Sequence, residues 1–382
     1  MKVLIAGDFC QDYGVNDLVL TGRYNFFDKI KPIVQEADYS IVNFEFPVVS
    51  SPDSAHPIYK AGPCLKGTLE GVKAVKYVGF DCCTLANNHT LDQGEQCLLD
   101  TVEAITQEGL DCVGAGANLE EAGHTLYKEI NGQTLAIINC CEHEFTIATD
   151  NAPGANPLKP IRQYYKIKEA REKADYVLVI VHGGHEHYQL PSVRMQDTYR
   201  FFVDAGADAV VNHHQHCYSG FEIYKGKPIF YGLGNLLFDD PLMKGTKTWH
   251  EGYMAVIDFC KDGVSYKQVP YSQCRDDISV TPFSKAERES FDKHISELNT
   301  IIADRQRLLA DNEVYYERCA RGELINLEPY RGRVLVKLFL LGLLPRCIKN
   351  NKLLGILNHI NCESHRDKLL YALKKQKAQY DK

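Results

Sequence analysis

The chain has 382 residues, 45% of them hydrophobic and 24% charged, with a formal net charge of −7. That length supports one large core, or one large core with a smaller module. The composition is that of an ordinary soluble globular protein, and the acidic balance argues against a general nucleic-acid binder.

The chain opens with Lys2-Val3-Leu4-Ile5-Ala6-Gly7-Asp8. This apolar run is too short for a signal-peptide core and ends in a polar motif rather than a small-residue cleavage site. No stretch approaches the roughly 18 uninterrupted apolar residues needed to span a bilayer. Fourteen cysteines are spread along the sequence without a C-x-x-C pair. Several, such as Cys82-Cys83 and Cys140-Cys141, lie in apolar strand-like runs, where Cys behaves as a small buried hydrophobe. Reduced thiols and a cytoplasmic location are the expectation.

Up to about residue 275, strand-like and helix-like stretches alternate. Val3–Ala6, Tyr39–Asn43, Asp81–Leu85, Asp111–Val113 and Tyr176–Val181 read as short buried strands. Helical patterns cover Leu91–Gln107, Ile161–Ala174 and Val193–Ala205. From Ala209 the helices thin out. Val210-Val211, Gly220–Tyr224, Pro228–Gly232, Met254–Phe259 and Val264–Val269 then suggest strands joined by turns. A βαβ half followed by a hairpin-rich half predicts a layered α/β sandwich of two sheets.

The character changes after Pro282. Ser284–Leu309 reads as one long helix, with Ser284 as N-cap and Glu287 as its capping-box partner. A first domain over residues 1–275 and a helical C-terminal extension over 282–382 follow. From Arg331 onward there are 12 Lys/Arg against Glu363, Asp367 and Asp381, a local balance of +9, so the preceding residues carry −16. The apolar run Val334–Leu344 ends at Pro345 and is followed by Arg346, Lys349 and Lys352. It reads as a helix docked on the core or as an interfacial membrane anchor at the inner face of the membrane.

Chemistry-bearing residues recur at the ends of the apolar runs: Asp8, Asn43-Phe44-Glu45, Asn87-Asn88-His89, His182, then His214-Gln215-His216. Carboxylate, amide and imidazole groups delivered from the carboxyl ends of separate strands are what a divalent-metal cluster in an open α/β sheet requires. Taken alone, an Asp after a strand, as Asp8 is, is most often a turn or helix cap. Glu45 stands between apolar neighbours and before Pro47, as a ligand or as a sheet-edge charge. In Asn87-Asn88-His89-Thr90-Leu91-Asp92, Asp92 is placed to cap a helix or to orient His89. His182-Gly183-Gly184-His185-Glu186-His187 is too dense in titratable groups to be core filling, although His185 and His187 fit an exposed loop. In His213-His214-Gln215-His216 an extended backbone would turn His214 and His216 to one side and His213 to the other. H-x-H at a strand end suits zinc, manganese or iron.

Nucleotide motifs are weak. Gly114-Ala115-Gly116 leads to Leu119 where a dinucleotide fingerprint needs a small residue, and no G-x-S-x-G elbow is present.

These residues together resemble the CapA family of capsule and poly-γ-glutamate biosynthesis, within the calcineurin-like metallophosphoesterase superfamily. The resemblance is carried by Gly7-Asp8, Asn43-Phe44-Glu45, Leu85 through Asp92, Val113-Gly114-Ala115-Gly116 and His182-Gly183-Gly184-His185-Glu186. His213 through His216 and Gly226-Lys227-Pro228 through Gly234-Asn235 extend it, so that it covers most of residues 1 to about 260. It implies an α-β-β-α metallophosphoesterase-like sandwich with one or two divalent ions (Mn, Fe or Zn). Asp8, Glu45, Asn88, His182, His214 and His216 would be ligands, and His89, supported by Asp92 and Glu186, the catalytic group. It further implies attack by metal-bound hydroxide with His89 as general acid, on a phosphoester or an anionic envelope polymer, alongside polymer-biosynthesis machinery. Where the superfamily usually places a His two residues after the Asp, this chain has Cys10; its bridging carboxylate is Glu45 rather than Asp. The rival expectation is a non-catalytic assembly or polymer-binding component retaining a partial metal site.

Overall fold

In β1 (Lys2–Phe9) successive side chains divide between two cores. Val3 and Ile5 join one cluster, whereas Leu4 and Ala6 join the other, as the two-residue period of a strand dictates; a register shift in the second half of the strand puts Phe9 with Leu4 and Ala6. In β2 (Tyr39–Phe44), Ile41 goes one way and Val42 and Phe44 the other; in β3 (Cys82–Thr84), Cys82 and Cys83 separate likewise. A sheet that is apolar on both faces has to be covered on both. With β4 (Asp111–Val113) these strands form the parallel run β1-β2-β3-β4.

After the short β5 (Ala115–Gly116), a second sheet starts with the hairpin of β6 (Leu126–Ile130) and β7 (Gln133–Cys141). β8 (Gly154–Ala155) pairs back with β5. β9 (Tyr176–His182), β10 (Ala209–His213), β11 (Phe221–Tyr224) and β12 (Lys227–Phe230) complete the second sheet, in the order β11-β12-β10-β9-β7-β6. The chain then returns to the first sheet. β13 (Asn235–Leu237) runs parallel to β1, while β14 (Glu251–Cys260), β15 (Gly263–Gln273) and β16 (Val280–Pro282) extend the sheet as antiparallel neighbours.

The helices Leu69–Val78 and Glu95–Gln107 cover the outer face of the first sheet, placing Val72, Val75, Val78 and Ile105 in the cluster that holds Leu4 and Val42. On the second sheet, Pro160–Lys173 and Val193–Ala205 contribute Ile167, Ala170, Tyr199 and Phe202 to the cluster shared by Val3, Ile5 and Val177 through Val181. The result is the expected α-β-β-α sandwich, followed by C-terminal helices. The computed structural model describes residues 1–380.

The expected helix Ser284–Leu309 is two helices, Lys285–Ala303 and Arg305–Ile325. Ser284 and Glu287 do form the capping box. Asp304 then leaves the helical conformation, and its carboxylate accepts from the amides of Gln306 and Arg307 at 3.0 and 3.1 Å, starting the next helix. The chain divides into two compact units, Met1–Leu308 and Leu309–Lys382. That division falls one helix later than the break at 275–282 drawn from composition, because Phe291, Ile295, Leu298 and Ile302 are buried in the first unit's core. Among the described residues all cysteines are free, and no helix is long and apolar enough to cross a membrane.

Candidate metal centre

The carboxyl ends of β1, β2, β9 and β10 meet at one place. β1 delivers Asp8 and β2 delivers Asn43, with Glu45 directly after it; β9 ends in His182 and β10 in His213. Gly7 allows this convergence, since a Cβ there would lie 1.9 Å from the carbonyl oxygen of Gly234, on the segment entering β13.

One half of the site is carboxylate-rich. Ligand atoms of Asp8, Glu45 and His216 all lie within 4.8 Å of one another, and all three residues are buried. The Asn43 amide donates to Asp8 Oδ1 at 2.7 Å and to Glu45 Oε2 at 3.2 Å. Its own oxygen accepts from Thr84 and Asn87. His216 donates through Nδ1 to Asn235 Oδ1 at 2.8 Å, which fixes the tautomer and leaves Nε2 with a lone pair. That Nε2 is 3.7 Å from Glu45 Oε1.

The other half is imidazole-rich. His182 Nε2 lies 2.9 Å from Asn88 Oδ1, 3.1 Å from His214 Nδ1 and 3.7 Å from Glu45 Oε1. Glu45 Oε1 therefore stands between the two halves, and it is buried without a hydrogen-bond partner. Glu144 lies at the edge, with its Oε1 3.6 Å from His214 Nε2.

His214 and His216 converge by a different route from the one expected. β10 stops at His213, and the two residues take positive φ values of 91° and 52°. A tight, left-handed backbone, rather than the pleat of a strand, brings both rings inward. A non-glycine residue holds such angles only where its surroundings compensate. Here the His214 amide donates to Asp8 Oδ2 at 3.3 Å. His213 does turn away, donating through Nε2 to the Ala6 carbonyl at 2.9 Å.

His89 sits on the turn over residues 88–93, and Asp92 orients it with Oδ2 2.6 Å from Nδ1. Asp92 does not cap a helix. The helix expected from Leu91 begins at Glu95 after Gly94, whose φ is +93°. The other Asp92 oxygen meets Lys60 Nζ at 2.5 Å, with both side chains withdrawn from solvent. Lys60 also lies 3.2 Å from His89 Nδ1.

Burial sets the electrostatics. It raises the pKa of Asp8, and burial together with repulsion from Asp8 raises that of Glu45. Burial and the neighbouring imidazoles lower the pKa of His182, and lower that of His214 to about 3. Neutral imidazoles keep the lone pairs that a metal needs. Two carboxyl groups, neutral rings and an amide oxygen form a donor set of the N/O type that suits manganese, iron or zinc. Besides each other, Asp8 and Glu45 meet amides and imidazoles, so a divalent cation would supply the counter-charge that their burial calls for. The residues fit such an ion.

Of the residues singled out from sequence, the structure brings together Asp8, Glu45, Asn88, His182, His214 and His216, with His89 and Asp92 adjoining. Glu186 stands half exposed on the rim, 3.9 Å from His187. Cys10 is buried in the apolar cluster beneath the first sheet and lies outside the group of close ligand atoms, and burial pushes its thiol pKa up. Sequence reasoning missed Lys60, Glu144 and Asn235 as site residues, and left Asn43 without a role. Asn235 carried a usable signal, a polar residue after Gly234 at the start of an apolar run. Lys60 lies in an irregular loop without one.

Residues 2–240 match the family model described as bacterial capsule synthesis protein PGA_cap. Capsule biosynthesis protein CapA of Bacillus anthracis is 34% identical over 248 residues, which is 63% of this chain and 60% of that protein. PGA biosynthesis protein CapA of Bacillus subtilis strain 168 is 36% identical over 224 residues, 57% of this chain and 58% of that protein. The chain thus spans about three-fifths of these relatives' length. Among solved structures, one described as a novel phosphatase from Mycoplasma pneumoniae matches with a TM-score of 0.45 and 15% identity, covering 76% of this chain and 96% of that one. With 2–240 of its 382 residues matched, the chain belongs to the bacterial capsule synthesis protein family PGA_cap.

Proposed function

We propose that the cluster holds one or two divalent metal ions, and that the protein is a metal-dependent hydrolase of capsule or envelope-polymer biosynthesis. The observation that carries this reading is Glu45 Oε1, a buried carboxylate oxygen without a hydrogen bond, set between two imidazoles. Asp8, Glu45 and His216 would hold one ion, and Glu45, Asn88, His182 and His214 the other. Bound there, such an ion supplies Lewis acidity toward a phosphoryl or acyl oxygen.

The chain's own groups do the rest. Asp92 accepts from His89 Nδ1 and fixes the ring, leaving Nε2 to exchange a proton with a leaving group. Asn43 donates to both carboxylates and so fixes them relative to each other, and Asn235 holds the His216 tautomer. Glu186 adds negative charge at the rim, acting through space on Glu45 and His216. The substrate class is a phosphoester or an anionic polymer linked by amide or glycosidic bonds. The capsule and PGA biosynthesis roles named for the relatives support this class.

The test is turnover of generic phosphodiesters with manganese, comparing wild type with His89→Asn and His214→Ala. Turnover in wild type that is lost in both variants supports the reading; equal residual activity in all three contradicts it. One observation favours a second reading, an assembly component that retains the site to hold an anionic polymer. Cys10 is packed in the core, so it adds no donor to the carboxylate half. Polymer binding that survives metal removal, with no turnover, would favour this alternative.

A further inference from the structure

The second compact unit, Leu309–Lys382, lacks the interior that its helices should share. Among its described residues, Phe339 is the one buried apolar side chain. Helices normally bury their apolar stripes against a neighbouring layer. Here Val334, Leu341, Leu343, Leu354, Leu357 and Ile360 are exposed. They lie on, or just after, the helices Arg333–Leu340 and Asn350–Asn361. On the second helix Leu353, Leu357 and Ile360 follow the i, i+4, i+7 spacing of one face.

The charge of the same stretch identifies what covers that face. Residues 331–362 carry Arg331, Arg333, Lys337, Arg346, Lys349 and Lys352 and not one Asp or Glu. A second copy docking through the same face would bring two such cationic segments together, which like-charge repulsion opposes. An anionic lipid surface offers the reverse: negative headgroups for the cations and acyl chains for the leucines. The helices have 8 and 12 residues, with Gly342 and Pro345 between them, too short to span a bilayer and suited to lying along its surface.

We propose that residues 331–362 form an interfacial anchor binding anionic membranes, with the leucines inserted at the headgroup boundary and the Lys/Arg side chains reaching the lipid phosphates. The surface is independent of the metal centre. It would hold the protein at the membrane whether or not the centre is catalytic.

The experiment is flotation of the full chain with vesicles of phosphatidylcholine plus phosphatidylglycerol, or of phosphatidylcholine alone. Wild type is compared with Leu341→Glu/Leu343→Glu and with Arg346→Gln/Lys349→Gln/Lys352→Gln. The expected result is binding to the anionic vesicles that weakens with salt. Loss of the three cations should lower affinity on the order of a hundredfold, and the glutamate pair should abolish binding. Thermal unfolding, followed in parallel, should leave the first unit's transition in place in both variants. Absence of binding to anionic vesicles would overturn the proposal, as would binding indifferent to lipid charge. Sedimentation equilibrium adds a third contrary result: an oligomer that the glutamate pair dissociates, with no vesicle binding by wild type.

Discussion

Lys60 and Asp92 meet at 2.5 Å with side chains 1% and 0% exposed, and Asp92 in turn holds His89. Removing one member of a buried ion pair strands the other, at a cost of about 3–5 kcal/mol. Lys60→Met is therefore predicted to destabilise the protein by that amount in denaturant titrations, and Lys60→Met/Asp92→Asn to recover most of it. Full loss in the double variant would show that Lys60 acts through something other than Asp92. His213 gives a pH prediction. Burial lowers its pKa to about 4, below the ordinary 6.5 expected in the unfolded chain. As pH falls, the unfolded state takes up this proton first, so the stability it contributes is complete above 6.5 and drains away toward 4. The loss between pH 7 and pH 5 is about 2 kcal/mol. His213→Asn should flatten the stability profile over that range; an unchanged slope would refute the assignment. At this scale the sequence revealed Asp8, Glu45 and the histidines because each follows an apolar run. Lys60 was invisible because only tertiary contact brings its loop to the turn at Asp92, where the Ile58 amide donates to the Asp92 carbonyl at 3.1 Å.

Elements with a clean period were legible, and those ended by a single polar residue were not. The strands β1, β2, β4 and β9 lie where apolar runs placed them. The helix expected from Leu91 starts four residues late because residues 88–93 form the turn that carries Asn88 and His89. The break at Asp304 was hidden because Phe291, Ile295, Leu298 and Ile302 keep a helical rhythm up to it and Leu308 follows Ile301 by seven residues across it. Packing also places Lys285–Ala303 in the first unit. Phe291 is 3% exposed and lies 5.1 Å from the Tyr218 ring and 5.7 Å from the Tyr253 ring, centroid to centroid. Phe291→Ala is predicted to cost about 3–5 kcal/mol in equilibrium unfolding. A change typical of an exposed site, within about 0.5 kcal/mol, would detach this helix from the core and return the boundary to 275–282.

At the scale of the whole molecule, two sheets with helices outside leave one common edge at which β1, β2, β9 and β10 end, and the polar cluster occupies it. The order of the motifs in the chain exposed this layering early, since βαβ units and later hairpins must form separate portions of a sandwich. A metal ion fits the same arrangement, because burial disfavours two charged carboxyls and a cation set among neutral imidazoles would offset that cost. Plasma mass spectrometry on the gel-filtered full chain, wild type beside His214→Ala and Glu45→Gln, is the most direct test. One or two manganese, iron or zinc ions per wild-type chain, reduced in both variants, are predicted. Wild-type protein that holds no such ion, even after reconstitution, would contradict the metal centre itself.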